Sequence, residues 1–271
     1  MYGRVIRYLL TASLVLLVST LSAQAADAVL QAAIMGPQRA PDNVARDRYR
    51  HPYETLMFFG IRPDMQVIEL WPGGGWYTEI LAPYLRQRGH LTVASFGADN
   101  PVPFRTRLHG KFMRKLAASP AVYDRVTVVT LDPPERTVLG PDNSADRVLT
   151  FRNLHNWIND DALEPVFRAA YRVLKPGGVF GVVEHRGIEG ADIKASSRQG
   201  YVPQAYVIDL LKKIGFHLVG QSEINANPKD DKRHPKGVWT LPPTYRLGDT
   251  DRSKYAAIGE SDRMTLKFVK P

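Results

Sequence analysis

The chain has no cysteine among its 271 residues. Disulfides and thiolate metal centres are therefore excluded, and a composition without thiols suits a protein exported from a bacterial cytoplasm. Several enzyme signatures are also missing. No Gly-x-x-x-x-Gly-Lys-Ser/Thr loop is present, which argues against a nucleoside triphosphatase. No Gly-x-Ser-x-Gly elbow marks a serine hydrolase. The seven histidines include no His-Glu-x-x-His pair of the kind that holds zinc on a helix. No run of five like charges occurs, so the formal net charge of +9 reads as a dispersed basic surface, with no specific nucleic-acid module. No internal repeat or low-complexity segment is visible.

A long membrane-spanning run is missing too. The apolar stretch from Tyr8 to Leu21 is shorter than the roughly 20 residues needed to cross a bilayer. Arg4 and Arg7 precede it and Ala23-Gln24-Ala25 follows it. This is the pattern of a secretory signal peptide over residues 1–25, cut after Ala25. No adjacent arginine pair marks twin-arginine export, and no cysteine at the cut offers a lipid anchor. The expected product is periplasmic or secreted, without a stable membrane span after cleavage. Residues 26–60 read as an N-terminal helical cover, and 61–271 as one α/β domain.

What is present is organised around Met65 to Leu81. Val67 and Ile68 suit a buried strand, Glu69 places an acid near its end, and Gly73, Gly74 and Gly75 form a turn before a helix-like run from Trp76 to Arg88. Strand, acid, glycine turn and helix make the layout of a nucleotide-cofactor site at the first crossover of an open parallel sheet. Glycines allow close backbone approach, and a helix start offers unpaired N–H groups. Further strands are expected at Leu91–Phe96, Val126–Leu131, Asp146–Phe151, Val179–Val183, Phe216–Ile224 and Arg263–Val269. Helices are expected at Phe104–Ala118, Asp161–Leu174 and Pro203–Ile214, with Lys175-Pro176-Gly177-Gly178 as a tight turn. Residues 225–257 form a long polar segment, expected to rim the site. Alternating strands and helices imply a doubly wound, mostly parallel seven-stranded sheet, with one antiparallel strand near the C-terminus.

Ligands of such sheets gather outside the carboxyl ends of the strands. That edge collects Glu69, Ser95, Asp132, then Arg152-Asn153-Leu154-His155-Asn156-Trp157, then Glu184-His185-Arg186. His155 is the first candidate for a general base, followed by His185 and Glu184, because an imidazole titrates near neutral pH. These three would hold a metal only if folding brings them together, and no metal is expected.

The glycine turn, the Leu174-Lys175-Pro176-Gly177-Gly178 sequence and the strand order resemble the Rossmann-like class I S-adenosylmethionine-dependent methyltransferases. Pro72 to Leu81, Arg152 to Trp157 and Glu260 to Val269 resemble more narrowly a family of exported bacterial predicted methyltransferases. The resemblance covers roughly residues 42–271. It implies S-adenosylmethionine as cofactor, with Glu69, Gly73, Gly74, Gly75, Tyr77, Ser95, Asp132 and Asn153 around it, and a small-molecule or envelope component as methyl acceptor. Trp71 stands where the family has its first glycine, so it would either close over the methionine part of the cofactor or force a different turn. Ser95 stands near where a carboxylate commonly holds the ribose, with Asp99 as a substitute a few residues on. A methyltransferase-like binding protein without transfer activity is the alternative reading, and a different enzyme using His155 and Glu184 is a third.

Overall fold

The structure, a computed structural model, describes residues 27–271. The signal-peptide reading falls outside the described residues. A seven-stranded sheet has the order β3-β2-β1-β4-β5-β7-β6. The strands are β1 (Gln66–Leu70), β2 (His90–Ser95), β3 (Thr127–Thr130), β4 (Ala145–Phe151), β5 (Leu174–His185), β6 (His217–Ser222) and β7 (Arg263–Val269). Neighbours from β3 to β5 pair in parallel. β7 runs antiparallel to both β5 and β6, so it is the single reversed strand among those described. The expected sheet is therefore found, with β7 beginning and ending where the sequence places it.

The two faces of the sheet follow from the period of two along each strand. Ile68, Val148, Phe180, Val182, Leu266 and Phe268 point to one core, under the helices Leu154–Asn159, Leu163–Val173 and Gln204–Ile214. Val67, Leu149, Phe151 and Val183 point to the other, under Thr78–Leu85 and the N-terminal helices. Residues 27–35 and Pro41–Val44, Asp47–Arg50 and Pro52–Phe58 are helical. No helix of the described residues is long and apolar enough to cross a membrane.

One local expectation needs correction. Lys175 to Gly178 is not a turn ahead of the fifth strand. β5 already pairs at Leu174 with Ala145, and pairing resumes at Val179 with Arg147. The residues between form a bulge in which Gly177 adopts φ 75° and its N–H donates to Lys270 O at 2.8 Å. The glycine supplies the left-handed conformation that lets one strand carry extra residues without losing its neighbour.

Candidate functional site

The carboxyl edge of the sheet carries three adjoining cavities. The first, about 210 Å³, is the least polar of the three and is lined by Trp71, Gly73, Phe96, Phe104, Arg105, Leu108 and Asn153 among others. The second, about 260 Å³, shares Trp71, Gly73 and Asn153 with it and adds Asn43, Arg46, Arg50, Gly74 and Arg152. The third, about 150 Å³, shares Arg46 and Arg152 with the second and reaches His185, Trp239, Pro243, Glu260 and Ser261. Read along the edge, the groove passes from an apolar end, across the glycine turn, to a cationic end over β4, β5 and β7.

The turn is built differently from a run of glycines alone. Trp71 adopts φ 44°, and its indole points inward between Phe96 and Trp157, at 4.5 and 5.2 Å between ring centres. Its Nε1–H donates to Leu131 O at 2.9 Å. Thus Trp71 forces a different turn: its ring becomes core, and only part of it faces the cavities. Gly73 adopts φ 59°, and a Cβ added to Gly73 or Gly74 would meet nothing within 4 Å. Both glycines therefore border open space. Gly75 does not: a Cβ there would come 3.0 Å from Phe112, so this glycine serves helix packing.

Several expected ligand residues support the groove from behind instead of lining it. Glu69 is 2% exposed and accepts a hydrogen bond from the Thr78 hydroxyl at 2.6 Å. Burial pushes its carboxyl up to about 7, against the opposing pull of Thr78, Lys115 and Arg152. Tyr77 is buried with its ring stacked 3.5 Å from Phe151, and it is not among the residues lining the three cavities. Ser95 is buried and bonded to His109 Nδ1 at 3.1 Å. Asp132 accepts from Gly97 N–H, from Asn100 at 2.6 Å and from Arg136 at 2.5 Å, so its oxygens are already engaged. Asp99 pairs with Arg136 instead of substituting at the ribose position. Asn153 does line the groove. Its amide donates to Leu70 O at 3.0 Å, Trp71 O at 3.2 Å and Thr150 Oγ1 at 3.2 Å, tying the end of β4 to the start of the turn.

The candidate base also changes. His155 is buried, lies at 3.2 Å from Glu184 through Nδ1, and is not among the cavity-lining residues. Glu184 is spent on structure: it accepts Leu154 N–H at 2.6 Å and His185 N–H at 2.7 Å as well. His185 is the histidine that reaches the groove, with Nδ1 at 2.5 Å from Ser261 Oγ. Burial holds its imidazole well below the ordinary 6.5, and the nearby His155, Arg152, Arg263 and Arg50 add to this. The ring is therefore neutral at neutral pH. His155, Glu184 and His185 offer ligand atoms within 4.8 Å of one another, so the folding condition set for a metal is met. The engaged oxygens of Glu184 and the arginine field around His185 both oppose a cation there.

Sequence reasoning passed over the cationic wall. Arg46 and Arg50 come from the N-terminal helical region, Arg152 from the end of β4, and Glu260 and Arg263 from the start of β7. Glu260 accepts from Arg46 at 2.5 Å, Arg50 at 3.3 Å and Arg263 at 3.1 Å. Burial opposes its ionisation, yet Arg50, Arg263 and Arg46 together bring it down to about 2. Arg152 stood on the expected ligand edge, but nothing in the sequence hinted that Arg46 and Arg50 would meet a carboxylate more than 200 residues on.

Comparison with known proteins agrees with this architecture. A family described as "Methyltransferase domain" matches residues 109–182. A sterol 24-C-methyltransferase of Neurospora crassa is 26% identical over 188 residues, covering 65% of this chain and 45% of the relative. That of Yarrowia lipolytica is 27% identical over 206 residues, covering 71% and 48%. The chain spans about half the length of the curated relatives it matches. Among solved structures, a SAM-dependent methyltransferase from Aquifex aeolicus superposes with a TM-score of 0.56 at 13% identity, covering 84% of this chain and 93% of that one. The [4+2]-cyclase SpnF superposes with a TM-score of 0.54 at 18% identity, covering 88% and 85%. The chain therefore has the fold of the class I S-adenosylmethionine-dependent methyltransferases.

Proposed function

We propose that the protein is an exported S-adenosylmethionine-dependent methyltransferase acting on a small-molecule or envelope acceptor. The observation that carries this is the continuous groove bordered by the two open glycines. Phe96, Phe104 and Leu108 suit a flat base at one end. Gly73 and Gly74 allow close approach in the middle, and Asn43 and Arg50 suit a carboxylate beyond them. The residues present fit the cofactor at both of its ends. When bound, S-adenosylmethionine supplies an electrophilic methyl group at its sulfonium.

The protein's own part is alignment and proton removal. Asn153 fixes the end of β4 against the glycine turn, so the two halves of the groove keep one geometry. In the tautomer whose Nδ1–H donates to Ser261 Oγ, neutral His185 presents the Nε2 lone pair as base toward the third cavity. His155 and Glu184 position it: Glu184 clamps the His185 backbone, and the His155 ring lies 5.6 Å from that of His185.

Titration calorimetry with S-adenosylhomocysteine checks the cofactor assignment. Binding is expected, and its absence at millimolar ligand would sink the reading. His185→Ala is expected to keep this binding and to slow label transfer from methyl-labelled cofactor into an envelope extract by about 10²–10⁴-fold. Export rests on the Arg4 to Ala25 pattern. Fractionation with N-terminal sequencing should find a mature chain starting at Ala26 outside the cytoplasm, and an intact Met1 in the cytosol would reject it.

A second reading has one observation in its favour. Ser95 is occupied by His109, so no carboxylate at the end of β2 grips a ribose. A binding protein without transfer activity would need none, and turnover of any acceptor rejects it.

A further inference from the structure

The third cavity has an unusual charge balance. Four guanidinium groups converge on it or stand directly behind it: Arg46, Arg50, Arg152 and Arg263. Glu260 is set among them and is already shared by Arg46, Arg50 and Arg263. Among the described residues, the Arg152 side chain has neither a hydrogen-bond acceptor nor an ion-pair partner. Yet Arg152 lines both the second and the third cavity. Arg152 is partly buried, the carboxylate that acts on it is the already shared Glu260, and it is held in place by a left-handed backbone at φ 63°. Strain of that kind persists where the surrounding structure fixes it, and Arg152 N–H is pinned to Val183 O at 2.7 Å. Burial and the neighbouring Arg263 lower the Arg152 pKa to about 10, against the opposing pull of Glu260.

We propose that the cavity between Arg152, His185 and Trp239 is the acceptor pocket, and that it takes an acceptor carrying a carboxylate or phosphate group, held by Arg152. The planar fork of a guanidinium matches the two oxygens of such a group. Arg46, at the same wall, adds charge without being free to pair fully, because Glu260 already holds it. His185 stands across the pocket, where a hydroxyl or amine of the same acceptor would lose its proton. A divalent cation is disfavoured by the same field. This inference rests on the methyltransferase reading for the word acceptor, but the anion pocket stands apart from it.

Inorganic phosphate is the probe, titrated into the protein with and without S-adenosylhomocysteine. Phosphate should bind the wild type. Arg152→Gln should weaken phosphate by about tenfold or more, the loss of a charge-assisted bidentate contact, while homocysteine-product affinity stays within about threefold. Arg152→Lys keeps the charge and loses the fork, and the same split is expected from it should Arg152→Gln not fold. Undiminished phosphate binding in both variants overturns the proposal. So does failure of phosphate to bind a wild type that binds the cofactor product, and so does an equal loss of both ligands, which would give Arg152 to the cofactor. Phosphate binding that depends on Arg152 without any cofactor-product binding upholds the anion pocket and removes the cofactor assignment. Vesicles of phosphatidylglycerol distinguish the sources: capture that phosphate displaces assigns an envelope headgroup, and phosphate binding without capture assigns a soluble acid.

Discussion

Glu69 shows how a single side chain can carry a fold's signature from behind the groove it marks. Its acid is enclosed between β1 and the helix Thr78–Leu85, and the Thr78 hydroxyl donates to it. An ordinary glutamate titrates near 4.5, whereas burial raises this one to about 7. Between those values the folded protein keeps a proton that the unfolded chain has released. Stability therefore falls as pH rises through this window, and the loss is complete above about pH 7, amounting to roughly 3 kcal/mol. Glu69→Gln keeps the shape and the acceptor for Thr78 without the charge. It should match the wild type at low pH and exceed it by up to roughly 3 kcal/mol in denaturant unfolding at about pH 8. A difference that stays constant from about pH 5 to about pH 8 would reject the buried-charge account. Such a role was half legible. The acid before the glycines was plain in the sequence, but its inward orientation depends on which sheet face receives the helix. Likewise, the neighbour of Ser95 was invisible, because His109 arrives from a helix whose facing is set by packing.

At the scale of elements, strand positions were readable because buried parallel strands are dense in Val, Ile and Leu. The segments missed were short or polar. The helix Leu154–Asn159 has too few residues for a period to emerge, and it hides His155 behind the groove. The Gly177 bulge looked like a turn because both use glycine at positive φ. Gly181 was simply read as part of β5. Its reason is a contact from far away: a Cβ there would come 2.8 Å from Phe59 and 2.8 Å from Leu149. The N-terminal helix Pro52–Phe58 can seat its following Phe59 on the sheet only where β5 lacks a side chain. Gly181→Ala should cost about 1–3 kcal/mol by overpacking, read as a lowered midpoint in urea. The companion change Gly181→Ala with Phe59→Leu should recover part of that loss if this contact is the cause. An unchanged midpoint for the single variant would show that the helix moves aside freely.

A contact between the N-terminal helices and the lead-in to β7 ties together the described fold. Arg46 and Arg50 precede the sheet, and Glu260 and Arg263 lead into its last inserted strand. Arg263 also donates to Tyr49 O at 2.6 Å, and Gly259 leaves room for the Tyr49 ring, which would lie 2.7 Å from an added Cβ. The cationic wall of the groove therefore exists only when β7 has inserted between β5 and β6 and the N-terminal helices have docked. This explains why the sequence could announce the glycine turn, a local feature, but not the arginine wall. The wall also gives the molecule a distinct acid response. The Glu260 carboxyl is brought down from 4.5 to about 2 by Arg50, Arg263 and Arg46, against the penalty of burial. Its stabilisation is fully present above about pH 4.5 and is lost as pH falls toward 2, a span worth roughly 3 kcal/mol. Glu260→Gln removes the charge and leaves the buried Arg50 and Arg263 and the half-buried Arg46 without their shared carboxylate. It should destabilise the protein by about 3 kcal/mol near neutral pH, with the deficit shrinking on acidification below about pH 4.5. Urea unfolding across that range measures it. A deficit that persists unchanged at about pH 3 would mean that Glu260 acts through shape, and the N-terminal helices would then be joined to β7 by packing alone.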